Sequence, residues 1–203
     1  MVMNKLELEY FTNIINSYSD LEYLFSTILY SAGPTLMKEK ASTLLNFSDG
    51  NHHLRSSWDR YKGEVLNRFK VEFIELKKDA HSTWVLFYDR ETLEDVIRGE
   101  RNIEFLTRFG YRNEMNIEEC LLKLSRRFEY CCPHEIGIFL GYPLDDVVFF
   151  INGSKGKCKM TGYWKVYDNI EEAKNTFDKY DRIRADFINL MISGVRPTDV
   201  YIN

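Results

Sequence analysis

The stretch Val71-Glu-Phe-Ile-Glu-Leu-Lys-Lys-Asp-Ala-His-Ser-Thr-Trp-Val-Leu-Phe-Tyr88 decides the fold class. Its first six residues alternate in part, and its last six are apolar throughout, as in a central strand. The polar connection at 77–82 is short, so the two runs form an antiparallel hairpin. On the N-terminal side, Leu6, Leu8, Phe11, Ile14, Ile15 and Tyr18 recur at helical spacing. Ser19-Asp-Leu-Glu22 is a capping box that opens a second helix, which Gly33-Pro34 is expected to stop. A strand at 43–47 and a helix at 57–69 complete this half.

On the C-terminal side, 91–109 reads as a helix that Gly99 can break and Gly110 ends. Asn116 and Glu119 cap another, carrying Ile117, Leu121, Leu124 and Phe128. Pro133 and Pro143 each take the first position of a short helix, with Glu135 in the positive first turn of one and Asp145 and Asp146 in that of the other. Val147, Val148, Phe150 and Ile151 are expected to face inward. Thr161-Gly-Tyr-Trp-Lys-Val-Tyr167 reads as a strand. Asp168 and Glu171 then cap a long last helix with an apolar stripe of Ala173, Phe177, Tyr180, Phe187 and Leu190. The fold class is α+β: one mostly helical domain over residues 1–195 around a small, mainly antiparallel sheet, followed by a C-terminal tail at 196–203.

Composition agrees. The 203 residues are 44% hydrophobic and 29% charged with net charge −4, the profile of a globular chain and not of a disordered or fibrous one. That balance gives no electrostatic case for a nucleic-acid partner. Aromatics reach 15%, whereas prolines number four: Pro34, Pro133, Pro143 and Pro197. No stretch reaches the ~20 apolar residues of a membrane span, and the first twenty residues lack the pattern of a signal peptide. Cys120, Cys131, Cys132 and Cys158 show no CxxC spacing, and reduced thiols in a cytoplasm fit best. Without export, the sequons at Asn46 and Asn152 carry no meaning.

Three clusters occur in order: Gly33-Pro-Thr-Leu36 with Lys40 and Leu44; Pro133-His-Glu-Ile-Gly-Ile-Phe-Leu-Gly-Tyr-Pro143 with Asp146 and Val147; and Gly162-Tyr-Trp-Lys-Val-Tyr167. Together they resemble the DUF3793 family, domains of unknown function found mainly in clostridia-like anaerobic bacteria. The resemblance covers about residues 23–192 and departs at two points: Gly33 replaces the usual Ala, and Phe149 replaces a glycine. It implies a bacterial cytoplasmic protein in a redox- or iron-linked setting, with no established activity.

Most catalytic patterns fail. His134-Glu135 lacks a second histidine at position 138, so the zinc-protease helix is absent. Gly153-Ser-Lys-Gly-Lys157 lacks the first glycine of a phosphate loop, and Cys158 stands where its Ser/Thr belongs. The strongest cluster is Cys131-Cys132-Pro133-His134-Glu135. A helix N-terminus lowers a thiol pKa, and Cys with His can ligate a soft metal or a haem; the plainer reading is helix initiation and packing. Tyr163, Trp164 and Lys165 can stack a flat anion such as a flavin, haem or nucleotide, or simply serve the core.

The expected site is thus a ligand or cofactor site between the 133–146 helices and the 162–167 strand. Its candidates are Pro34, Thr35, Lys40, Cys132, His134, Glu135, Tyr142, Asp146, Tyr163, Trp164 and Lys165. The alternative is a protein-interaction module, with the basic 51–70 stretch, including Arg60, Lys62 and Arg68, docking an acidic protein partner.

Overall fold

A computed structural model describes residues 5–50, 52–153 and 158–202, with side chains from residue 11 onward. Its first sheet consists of β1 (Ser42–Ser48), β2 (Glu72–Lys78) and β3 (Ser82–Tyr88), in the order β1-β3-β2 and antiparallel throughout. The apolar run is therefore the central strand. Successive side chains of a strand point to opposite faces. Val85 and Phe87 enter one core, with Trp58, Phe25 and Phe47. Leu86 and Tyr88 enter another, with Leu121, Ile138 and Phe139. Both faces are covered by helices, which is why the run does not alternate in polarity. A bulge in β2 between Glu75 and Lys77 shifts the register against β3.

The first core is closed by α2 (Asp20–Leu36) and α3 (Leu54–Phe69), with α1 (Lys5–Asn16) preceding them. The Ser19–Glu22 capping box is present. Pro34 does not stop α2; it lies inside the last turn. A proline there removes one helical bond only, and the chain closes behind it as Glu39 and Lys40 N–H donate to the Pro34 carbonyl at 2.8 and 3.1 Å. The reversal falls at Lys38, whose φ is +58°. Helix α3 begins one turn earlier than expected, after His53 in the left-handed region.

The second core is closed by α4 (Arg90–Arg98), α5 (Glu100–Thr107), α6 (Ile117–Phe128), α7 (Ile136–Phe139) and α8 (Leu144–Ile151). Gly99 separates α4 from α5, and the Asn116–Glu119 capping box opens α6, both as expected. Helix α7 starts at Ile136, so Pro133 is not its first residue. Ile136 and Gly137 N–H bond back to the Pro133 and His134 carbonyls, and residues 133–135 form tight turns instead. Pro143 precedes α8, and Phe150 is exposed on its outer face.

The expected strand at 161–167 is shorter: β4 (Met160–Thr161) and β5 (Lys165–Val166) form a two-pair hairpin around Gly162. Helix α9 (Ile170–Ile192) is capped one residue later than expected, by Asn169, which accepts from Glu172 N–H at 3.2 Å. On its inward stripe Met191 is buried where Leu190 was expected; Leu190 is exposed. After α9, a short 3₁₀ turn at Pro197–Asp199 buries Pro197, and Ile202 N–H donates to the Arg68 carbonyl. Of the phosphate-loop candidate at 153–157, only Gly153 is described; 154–157 lie outside the described residues.

Gly162 brings the hairpin against α9 so closely that a Cβ there would sit 2.2 Å from the Phe177 ring. Gly63, inside α3, has open space around it. Gly162→Ala is therefore expected to lower unfolding free energy by about 1–3 kcal/mol. Gly63→Ala is expected to raise it by about 0.5–1 kcal/mol. Urea denaturation of the two variants beside wild type measures both.

Candidate functional site

The loop that carries Cys131–Glu135 is anchored from below. Glu135 is fully buried, and the Arg127 guanidinium in the last turn of α6 donates to both of its carboxylate oxygens. Arg127 also lies over the Phe109 ring at 5.3 Å. A carboxylate at full burial requires such a partner. Glu135 was expected to complement a helix dipole; its place is this ion pair, because α7 begins only after it. Tyr111 packs beside the pair, where burial first and the Glu135 charge second push its hydroxyl pKa up.

The same geometry corrects the thiol reading. Cys131 and Cys132 are free and exposed, and the helix that follows them, α7, is only four residues long and begins at Ile136. The Cys132 thiol is pushed up instead of down, by desolvation and then by Cys131 and Glu135. Among the described residues no three His, Cys, Asp or Glu side chains gather to hold a metal ion.

Above this loop, a cleft of about 230 Å³ opens between the 132–137 turn, α8 and the β4–β5 hairpin. Cys132, His134, Tyr142, Asp146, Trp164 and Lys165, six of the eleven candidates, line it, together with Pro133, Ile136, Gly137, Val147 and Phe150. Two aromatic pairs define it: His134 meets Phe150 edge-on at 5.8 Å, and Tyr142 lies 5.2 Å from Trp164. Gly137 keeps the floor thin, since a Cβ would stand 2.8 Å from Val147 Cγ2. Lys165 is exposed, with its ammonium 5.5 Å from the Phe150 centroid.

Asp146 is buried and serves as the latch of the cleft. Its Oδ2 accepts from Trp164 Nε1 at 2.8 Å, and its Oδ1 accepts from the Tyr167 and Asp168 amides at 2.7 and 3.2 Å. Three N–H donors from one hairpin thus converge on one carboxylate of α8. Beside them the Phe149 ring stacks on Tyr167 at 5.8 Å, at the position where the resemblance led one to expect glycine.

These segments fall inside one stretch of homology. A family model described as "Protein of unknown function (DUF3793)" matches residues 28–201. The chain belongs to the DUF3793 family. No match was found among the curated proteins or the solved structures. Among the described residues no helix is long and apolar enough to cross a membrane.

The remaining candidates of this DUF3793 chain lie outside the cleft. Tyr163 points toward α9, where its hydroxyl donates to Asp181 at 2.8 Å and Arg184 lies 4.6 Å from its centroid. Pro34 and Thr35 sit at the end of α2; the Thr35 hydroxyl meets that of Thr43 at 2.8 Å. Lys40 is buried behind Tyr142, 5.7 Å from its ring centroid, and donates to the Ser42 carbonyl. One residue that lines the cleft and one that anchors its loop escape sequence reading. Phe150 sits on the wrong side of its helix for a core residue. Arg127 is signalled only by the need of a buried Glu135 for a cation.

Burial, and secondarily Arg184, lowers the Lys40 pKa from 10.5 to about 7. Between that value and 10.5 the unfolded chain holds a proton that the folded protein has shed. Stability from this group therefore rises with pH across the window, by at most about 1.4 kcal/mol per unit. Lys40→Met is expected to stabilise the protein most at and below neutral pH, with its advantage over wild type shrinking as pH rises. Paired urea titrations on either side of neutrality read that difference directly.

Proposed function

We propose that this protein binds a small planar ligand in the cleft between the 132–146 segment and the β4–β5 hairpin. The observation that carries the reading is convergence. Residues from the Pro-His-Glu turn, from α8 and from the hairpin, remote in sequence, meet around one largely apolar cavity with a few polar groups, the usual character of a small-molecule site. Its frame is held in advance by the Asp146 latch and the Arg127–Glu135 pair, so little ordering cost falls on binding.

The volume, about 230 Å³, lies below the range of roughly 300–1,000 Å³ for pockets that engulf a drug-sized molecule. It suits one flat ring system, such as a nucleobase or the ring of a flavin, better than a haem. Binding is favoured over catalysis because both Asp146 oxygens already accept N–H donors from the hairpin and the Cys132 thiol is raised, which disfavours either as a base or nucleophile. The free surface thiols of Cys131 and Cys132 support a cytoplasmic setting. Docking of an acidic partner on α3 draws less from the geometry. Lys62 is bonded to Glu75 at 2.7 Å, and Arg68 donates to the Thr198 carbonyl.

A panel of FMN, AMP and haemin, followed by thermal shift and by quenching of tryptophan emission, tests the proposal. FMN or AMP is expected to stabilise the protein, by about 2.7 kcal/mol at a hundredfold excess over Kd. Phe150→Ala, at an exposed position, is expected to weaken that binding by roughly 5- to 10-fold through loss of an aromatic contact. Unchanged melting and emission with every compound would sink the reading.

A further inference from the structure

The charges around the cleft are lopsided. Among the described residues, the acids on the segments that form it each lie near a partner, Asp168 at the outer limit of an ion pair. Glu135 is paired with Arg127, Asp145 with Arg101 at 2.7 Å, and Asp168 with Lys159 at 4.0 Å. Asp146, the acid that lines the cavity itself, spends both oxygens on three N–H donors of the hairpin. The cationic side is different. Among the described residues Lys165 has no carboxylate partner; its contact is the face of Phe150. The His134 imidazole lines the same cleft and is edge-on to that same ring. Among the described residues, Lys165 is therefore the one charged group lining the cleft whose polar atoms are not already hydrogen-bonded; Asp146 keeps its charge but has both oxygens turned to the hairpin.

We infer that the ligand of this cleft is an aromatic anion, a flat ring bearing a carboxylate or phosphate, with the ring among Phe150, Tyr142 and Trp164 and the anionic group at Lys165 and His134. The inference rests on the proposed binding function and narrows it to a class. The aromatic pairs select a ring because stacking is favourable for any π-face. Lys165 selects charge because an anion there gains a charge-assisted hydrogen bond that no protein carboxylate competes for. A cationic ligand meets the Lys165 ammonium, while both Asp146 oxygens are held by the hairpin N–H groups.

Calorimetric titration of the whole protein with four naphthalene probes tests this: naphthoate, naphthyl phosphate, naphthol and naphthylmethylammonium. Both anions are expected to bind about tenfold or more tightly than naphthol, and the ammonium probe most weakly. The tighter of the two anions identifies the carboxylate or the phosphate as the natural group. Lys165→Gln, at an exposed position outside the core, is expected to bring the anions down to the naphthol affinity, both measured on the same variant. Equal binding of all four probes, or anion binding indifferent to Lys165→Gln, overturns the anion preference and leaves the cleft as a ring site. Binding by none of the four overturns the cleft reading itself.

Discussion

Burial of β3 on both faces is the constraint from which the other elements take their positions. A central strand with Val85, Leu86 and Phe87 all fully buried cannot be served by helices on one side. Each residue turned away from those helices would leave a large side chain in water, at a cost of roughly 1.5–3 kcal/mol apiece. The chain therefore supplies two groups of helices. The N-terminal α2 and α3, with part of α9, cover the Phe87 face, and α4 to α8 cover the Leu86 face. β1 and β2 flank β3 and carry the same division of faces outward, with Phe47 on one side and Leu76 on the other.

The candidate site hangs from the second of these cores. Phe139 and Val147 are core residues of α7 and α8, and the cleft forms where those short helices reach past the core edge. A hydrogen bond from the buried Ser42 hydroxyl to the Phe139 carbonyl, 2.7 Å long, ties α7 directly to the edge strand β1. The β4–β5 hairpin belongs to a third, smaller cluster of Trp164, Val166, Phe177 and Tyr180 on α9. The cleft is thus a seam between two apolar clusters, with Trp164 and Tyr142 bridging them.

Much of this was legible in the sequence where one residue's preference settles a local structure. The unbroken apolar run placed the central strand, and two capping boxes and Gly99 placed helix ends. The 132–146 stretch and the GYWKVY motif named six cleft residues before their meeting was visible. Reading failed where the deciding partner is remote or the rule is positional. Pro34 breaks a helix interior but is tolerated in a last turn whose carbonyls are taken up by the next residues. Asp168–Glu171 and Asn169–Glu172 offer the same cap one residue apart, and local pattern does not rank them. The alternation at 161–167 arose from a tight turn, and Gly162 was the clue to it. Glu135 looked like a helix-start acid because its true partner, Arg127, sits across a loop.

The Asp146 latch has a consequence for how the site comes into being. A hairpin of two residue pairs is too short to persist by itself. Its Trp164, Tyr167 and Asp168 N–H groups are tethered to a carboxylate that reaches them only once α8 is formed and docked. α8 in turn docks through Val147 onto the completed second core. The hairpin's place thus depends on α8 and that of α8 on the second core, which puts the cleft at the end of this chain of structural dependence. A chain whose second core is incomplete holds the residues of the cleft without the cleft itself, so the shape of this surface depends on the integrity of the domain beneath it.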